Sequence, residues 1–423
     1  MRREKIAHAA FCPPLGRTGH QPHPEWKGLT MKRAPAPTPY RLFAICPGGL
    51  DEVLKREIEK IPAKVTHAYP GGIEFEGTLE TAYLATLKLR TASRVLLLLG
   101  SHKKIFKPEE LYSTIRSYDW EKHFSPESTF AIFLTESHTK ERRIPVNPQF
   151  WALKAKDAVA DYFLQKHGTR PNVDRKDPDI AIRMHLHDQI LKVYLDLSGP
   201  SLHERGYRQS SVEAPIKENL AAGLLLLSDW QYTCNEGFGF LDPFCGSGTL
   251  LVEAALIATR TAPGLLRSRF GFFGWKDHDP DLFEQVHARL KSERILDPAK
   301  LPLMVGSDRA KEAVETTRTN LEAAGMADFV RLKVNSFQDT TAFQEKGLIV
   351  MNPPYGIRLE EVEGLRETYR GIGSTLKHKY PGWWAGVITS EKSLMHSIGL
   401  KPEKKWPLHN GGLESLYSLF KMY

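Results

Sequence analysis

The sequence predicts an α/β fold whose second half is a doubly wound sheet and whose first half is a set of smaller α+β units. Two observations carry the prediction: strands and helices alternate from about Val212 onward, and before it short strands and helices mix in hairpin-like runs. Length agrees, since 423 residues are too many for one ordinary domain and suit two or three at ~150 each.

Composition narrows the class. With 41% apolar and 26% charged residues the chain reads as globular, neither disordered nor fibrous. No apolar run approaches the ~18 residues of a membrane span, and stretches such as Val95–Leu99 have the length of a buried strand. The start, with Arg2, Arg3 and Lys5 ahead of a few alanines, lacks the apolar core of a secretory signal. Cys12, Cys46, Cys234 and Cys245 contain no C-x-x-C pair, which argues against a zinc ribbon or a disulfide framework and fits a reducing cytoplasm. The net charge of +8 divides into +5 over residues 1–38, +4 over 39–210 and −1 over 211–423. A basic front half suggests that a polyanion is gripped there first; a basic tail with ordinary surface lysines explains the same numbers.

Taken in order, residues 1–38 are punctuated by proline and glycine without apolar periodicity and read as a disordered leader. Order is expected from Tyr40. Residues 41–45 read as a strand closed by Pro47-Gly48-Gly49, and 50–61 as a helix from the spacing of Leu50, Val53, Leu54, Ile58 and Ile61. Strands are expected at 65–68, 72–75 and 95–100, with a helix at 78–87. A second unit, 101–210, has a helix at 111–117, a strand at 129–135 and an amphipathic helix at 148–167, where Trp151, Ala155, Val159 and Phe163 share a face. Residues 180–186 and 190–197 alternate about His187-Asp188 as a hairpin. From 211 the predicted order is helix 215–229, strand 239–241, helix 249–258, strand 303–306, helix 311–324 and strand 329–334. Strand 348–351, helix 363–377, strand 384–389 and a closing hairpin about Asn410-Gly411-Gly412 complete it. In such a sheet, ligands sit beyond the carboxyl ends of the strands.

Three such ends carry chemistry. Asp242-Pro243-Phe244-Cys245-Gly246-Ser247-Gly248-Thr249 joins a strand to a helix; its glycines permit a tight turn, and the helix amides offer donors to a carboxylate. It is not a Walker loop, having no G-K-[ST], and it lacks the third glycine of the dinucleotide fingerprint. Asp308 ends the next strand, where an acidic side chain can accept from a ribose or cap the following helix. Asn352-Pro353-Pro354-Tyr355 supplies an amide oxygen, a rigid edge stripped of two N–H donors, and a flat π face. A planar base bearing an exocyclic amine needs such acceptors and such a face. A plain turn is the competing account of that tetrapeptide.

The pairing of 242–249 with Asn352-Pro353-Pro354-Tyr355-Gly356 resembles the class I, Rossmann-like S-adenosylmethionine-dependent amino-methyltransferases. Three further stretches resemble the THUMP-domain 23S ribosomal RNA guanine-N2 methyltransferases: 197–208 with His203-Glu204-Arg205-Gly206-Tyr207-Arg208, 214–221 with Ala214-Pro215-Ile216-Lys217-Glu218-Asn219, and 262–275 from Ala262-Pro263-Gly264-Leu265 to Trp275. The resemblance covers about 40–423, omits the leader, and lacks the second methyltransferase half fused in some members. It implies a ferredoxin-like unit over 39–100, a THUMP RNA-binding unit over 101–210 and a methyltransferase over 211–423. It further implies S-adenosylmethionine as cofactor, 23S ribosomal RNA as partner, no metal, a cytoplasmic place of action and a monomer or weak homo-oligomer. By the same resemblance Asp242, Phe244, Gly246, Gly248 and Thr249 hold the methionine part, Asp308 the ribose, and Asn335-Ser336 faces the adenine. Pro215 and Asn219 line the cofactor site, and Asn352, Pro353 and Tyr355 receive the target amine. Asn335 stands where the family commonly has an acidic residue, a departure that bears on the adenine contact.

Rival functions share these motifs. N6-adenine methylation uses the same tetrapeptide, guanine-N2 methylation of transfer RNA shares both domains, and a non-catalytic ribosome-assembly factor would keep the fold. The last predicts damage at Asp242, Gly246, Gly248 or Asn352, and all four are intact. His185, His187 and His203 read as structural, without a partnered metal motif. The pairs Lys103-Lys104 and Arg142-Arg143 read as phosphate contacts or solvated charge.

Overall fold

The computed structural model describes residues 39–138, 147–209, 216–355 and 359–423. The leader 1–38, Arg142-Arg143, Pro215 and Gly356 lie outside the described residues. Among the described residues the named strands form two seven-stranded sheets.

The N-terminal sheet contains β1 (Tyr40–Ile45), β2 (Ala63–Tyr69), β3 (Gly72–Gly77), β4 (Arg94–His102), β5 (Phe130–Ser137), β6 (Ile180–His187) and β7 (Ile190–Asp196), in the order β2-β3-β1-β4-β7-β6-β5. Its helices are α1 (Asp51–Ile58), α2 (Leu79–Lys88), α3 (Pro108–Arg116) and α4 (Pro148–His167). The sheet runs unbroken past residue 100, because β4 pairs with β1 on one side and β7 on the other; Leu97 stands opposite both Leu42 and Leu195. The division expected at 100/101 therefore passes through a strand. Helix α4 matches its predicted bounds because its signals are local. Asn147 accepts from the Gln149 and Phe150 amides, Pro148 fits the first turn, and Gly168 closes the helix at φ 72°.

The C-terminal sheet contains β8 (Gly239–Asp242), β9 (Met304–Asp308), β10 (Val330–Val334), β11 (Gly347–Met351), β12 (Trp384–Thr389), β13 (Lys404–Asn410) and β14 (Leu413–Lys421). Their order is β10-β9-β8-β11-β12-β14-β13, parallel except for β14, which runs antiparallel to both its neighbours. Helices α5 (Glu218–Leu227), α6 (Trp230–Thr233), α7 (Thr249–Ala258), α8 (Pro280–Ser292), α9 (Lys311–Ala323), α10 (Leu359–Lys379) and α11 (Lys392–Ser397) accompany it. The central strands β8, β9, β11 and β12 are buried on both faces, as a sheet covered on both sides requires, while β10 and β13 at the edges carry exposed polar residues. Alternate residues serve two cores: Phe240, Met304, Leu348 and Val350 pack into one, Leu241, Val305, Ile349 and Met351 into the other. The first core is continuous with the interior of the N-terminal sheet. No described helix is long and apolar enough to cross a membrane.

The insertion after α7 fastens the two sheets together. A Cβ on Gly264 would lie 2.6 Å from the Leu87 Cα, and one on Gly271 would collide with the Asp196 carbonyl. Only glycine allows backbone to approach so closely. Arg267 donates to the carbonyls of Ser198, Pro200, Ser201 and Glu204, and the Tyr83 hydroxyl meets His278 Nδ1 at 2.8 Å. Beneath it, buried Arg205 pairs with buried Glu253 at 3.4 Å and donates to the Arg90 carbonyl at 2.5 Å. Arg90 in turn donates to the carbonyls of Leu256 and Thr261.

A candidate cofactor and amine site at the carboxyl end of the C-terminal sheet

Register places the predicted residues along one edge. Asp242 stands opposite Gly306, Asp308 opposite Val334, and Leu241 opposite Ile349, so Asp242, Asp308, Asn335 and Asn352 emerge from four adjacent strand ends.

Asp242 is 1% exposed, and one of its oxygens accepts the Phe244 amide at 3.2 Å. Burial pushes its carboxyl up to about 8, with the Asp308 charge adding to the effect. The other buried carboxylates among the described residues each have a cation: Glu74 has Arg41 and Lys192, Asp196 has Arg94 and Arg183, Glu218 has Arg208, and Glu253 has Arg205. Among the described residues, Asp242 is the buried acid without one.

The loop after Asp242 is held from three sides. Gly246 and Gly248 sit at φ 52° and 81°, and Thr317 bonds the Gly246 carbonyl at 3.0 Å. Buried Asn320 donates to the Ser247 carbonyl at 2.8 Å and accepts the Gln209 amide at 2.9 Å. Arg208 reaches in from the connector between the sheets, donating to Ser247 Oγ at 3.1 Å, Thr249 Oγ1 at 3.0 Å and Glu218 at 2.9 Å. Thr249, expected among the cofactor contacts, is 3% exposed and serves this clamp. The amides of Phe244, Cys245, Gly246 and Gly248 donate within the protein and shape the loop. Asp308 accepts the Gly246 amide at 3.1 Å and the Ala310 amide at 3.0 Å, tying the loop to the start of α9. It is not the helix cap, a position Ala310 holds without a side-chain bond.

Asn335 and Ser336 are half-buried beyond β10; the Asn335 amide donates to the Asp308 carbonyl, and Ser336 bonds Gln338 at 2.6 Å. Next to them Phe337 is buried, its ring 6.1 Å from Phe244 and stacked on Tyr380. Asn352 is half-buried and Pro353 buried; Tyr355 packs against the second core, and its hydroxyl accepts from Asn410 at 3.5 Å.

Asn219 is placed differently from the cofactor-lining position expected of it. It is 1% exposed, and its amide nitrogen donates to Ser93 Oγ at 3.0 Å and the Thr91 carbonyl at 3.4 Å, both on the N-terminal sheet's side. Arg208, Asn320, Phe337 and Asn410 join the site without a signal of their own in the motifs. Phe337 adjoins a predicted pair and Arg208 lies in a quoted motif, but their partners are tertiary. His185 and His187 bond the hydroxyls of Thr135 and Ser137 in a ladder across β5 and β6, and His203 bonds Ser201 at 2.7 Å.

Comparison with known proteins agrees with this architecture. A model of the RMKL-like methyltransferase domain matches residues 205–418, one of the THUMP domain 107–196, and one of the RlmL ferredoxin-like domain 41–96. Ribosomal RNA large subunit methyltransferase K/L of Methylococcus capsulatus is 39% identical over 378 residues, 89% of this chain and 50% of its own length. The chain thus spans about half the length of the curated relatives it matches. A candidate methyltransferase solved in complex with SAH superposes with TM-score 0.81 at 28% identity, covering 92% of this chain and 99% of that one. A predicted N6-adenine-specific DNA methylase from Listeria monocytogenes superposes with TM-score 0.79 at 26% identity, covering 91% and 97%. With half of its residues matched by that one model and both sheets shared with these structures, the chain belongs to the RMKL-like methyltransferase-domain family.

Proposed function

We propose that the chain is an S-adenosylmethionine-dependent enzyme that methylates the exocyclic N2 amine of a guanine in 23S ribosomal RNA, acting in the cytoplasm. One observation carries this: Asn352-Pro353 follows a strand beside β8, whose Asp242 carboxyl is buried with no cation beside it among the described residues. A desolvated carboxyl with no counter-charge suits a ligand bearing an ammonium group, whose charge would draw its proton off and pair with it, and the methionine part of the cofactor bears one. Asp242 and the loop to Gly248 would hold that part, Asp308 the ribose, and Asn335, Ser336 and Phe337 the adenine side. When bound, S-adenosylmethionine supplies an electrophilic methyl group carried on a sulfonium.

The protein's own part is positioning. The target amine's lone pair is delocalised into the base. The Asn352 amide oxygen and the Pro353 carbonyl would accept its two N–H bonds and aim the lone pair, while Tyr355, oriented by Asn410, offers its ring to the base. Such orientation can supply several of the ~7–11 kcal/mol available to proximity. The amine sheds its proton after transfer, so no general base is nominated. A paired target must leave its stack first, and the 39–210 region, with its net +4, would grip the phosphates. The names of the curated relatives favour ribosomal over transfer RNA. The Listeria structure's name favours a second reading, N6-adenine methylation of DNA.

The test is transfer of labelled methyl to protein-free large-subunit RNA, transfer RNA and duplex DNA in parallel, with nucleoside mass analysis. N2-methylguanosine in ribosomal RNA, reduced about a hundredfold or more in Asn352→Ala, is the expected result. Label in DNA adenine or in transfer RNA would overturn the substrate.

A further inference from the structure

A cleft separate from the Asp242 loop opens where the two sheets meet. Its walls include the Gly48 turn after β1, Lys217 and Asn219 at the start of α5, His203 of the connector, and His409 and Asn410 at the end of β13. The contact that forms it is tight: the His409 amide donates to the Gly48 carbonyl at 3.2 Å, and a Cβ on Gly48 would lie 2.8 Å from His409 Nδ1. Asn410 also donates to Tyr355, so the cleft adjoins the tetrapeptide proposed to receive the amine.

Two features of the cleft ask for a ligand. No carboxylate is among its described lining residues, while Lys217 and His409 are exposed at it. The local field is cationic, since burial first and then Lys217, Arg205, Arg94 and Arg208 hold His203 down at about 4, hence neutral. The second feature is Asn219. Its nitrogen must face the Thr91 carbonyl, which can only accept, so the oxygen is the remaining atom; that Oδ1 is buried without a partner on a residue 1% exposed. An unmet buried acceptor beside a wall whose described residues carry cations and no acid suits a group presenting a hydroxyl donor next to a phosphate.

We propose that this cleft binds a ribonucleotide of the substrate strand neighbouring the target, with its 2′-hydroxyl donating to Asn219 Oδ1 and its phosphate against Lys217 and His409. The cleft would then distinguish RNA from DNA, which the amine-receiving tetrapeptide has no means to do. The inference rests on the methyltransferase reading for its strand and direction, and its test does not read methyl transfer.

Binding of a short single-stranded, guanine-containing ribo-oligonucleotide and of the same sequence in deoxyribose is measured by fluorescence anisotropy on the full chain. Wild type should bind the ribose form about three- to tenfold more tightly, the worth of one hydrogen bond to a buried acceptor. Asn219→Ala, checked for folding by thermal melting, should bring the ribose form down to the deoxyribose one. Lys217→Gln, an exposed change, should weaken both and lower the slope of log K against log salt by about 0.7. Equal affinity for both sugars in wild type, or a preference that survives Asn219→Ala, or an unchanged salt slope in Lys217→Gln, would overturn the subsite. Should Asn219→Ala not fold, the deoxyribose probe and Lys217→Gln decide. RNA preference of this kind in a chain that methylates no RNA would sink the proposed function and leave the subsite standing.

Discussion

At the seam between the sheets, acids are buried with cations, whereas at the carboxyl end of the C-terminal sheet a carboxyl is buried with no cation beside it among the described residues. Arg205 and Glu253, 2% and 0% exposed, face each other across the seam, with half-buried Arg90 and Glu57 completing two cations and two acids. Burial raises Glu57 and Glu253; the Thr91 hydroxyl, two backbone amides and Arg90 pull Glu57 back, and Arg205 and Arg90 pull Glu253 back. At Asp242 burial acts with no cation to oppose it. A buried ion pair with both members present is a piece of architecture. A buried acid with no cation beside it resists ionising, and a bound cation would offset the cost of its charge. The comparison therefore separates the part of the molecule that holds its sheets together from the part that is built for a ligand.

The seam yields the larger effect. Glu253→Ala leaves the Arg205 guanidinium buried without its partner and should cost about 3–5 kcal/mol of stability, read by chemical denaturation. A loss near zero would mean that the seam tolerates an unpaired charge, and the contrast with Asp242 would lose its meaning.

The Asp242 end should respond to pH in the opposite sense to an ordinary salt-bridged acid. Its carboxyl is held at about 8 when folded against 3.8 for the free side chain, so between those values the folded chain binds the extra proton. Stability from this group is therefore present below about pH 4 and falls as pH rises toward 8. Asp242→Asn should melt several degrees above wild type at pH 8 and level with it near pH 4, in the absence of ligand. A variant less stable than wild type at pH 8 would place a compensating cation beside Asp242 after all.

Much of this was legible in the sequence where the determinants are local. Helix α7 begins at Thr249 and α4 at Pro148 as predicted, since glycine, proline and asparagine mark those ends within a few residues. The strand ends bearing Asp242, Asp308 and Asn352 were placed to within two residues, because each sits at a change from apolar run to turn. What depends on distant partners was not legible. The union of the two N-terminal units follows from β4 pairing with β7, about a hundred residues away in sequence. Arg208 clamps hydroxyls 39 and 41 residues downstream, which no spacing announces. The family resemblance implies a cofactor-lining place for Asn219, yet its amide faces Thr91 and Ser93. Helix α8, absent from the predicted elements, does carry a local signal, since Asp279-Pro280 caps it in the ordinary way.

The most direct measurement is calorimetric titration of S-adenosylmethionine into the wild-type chain and into Asp242→Asn at pH 8. The account predicts binding by wild type and at least a tenfold loss in the variant, although the variant is the more stable protein before ligand is added. Equal affinity in the two would show that the buried acid is not where the cofactor's positive charge is received, and would contradict the assignment of this sheet end as the site.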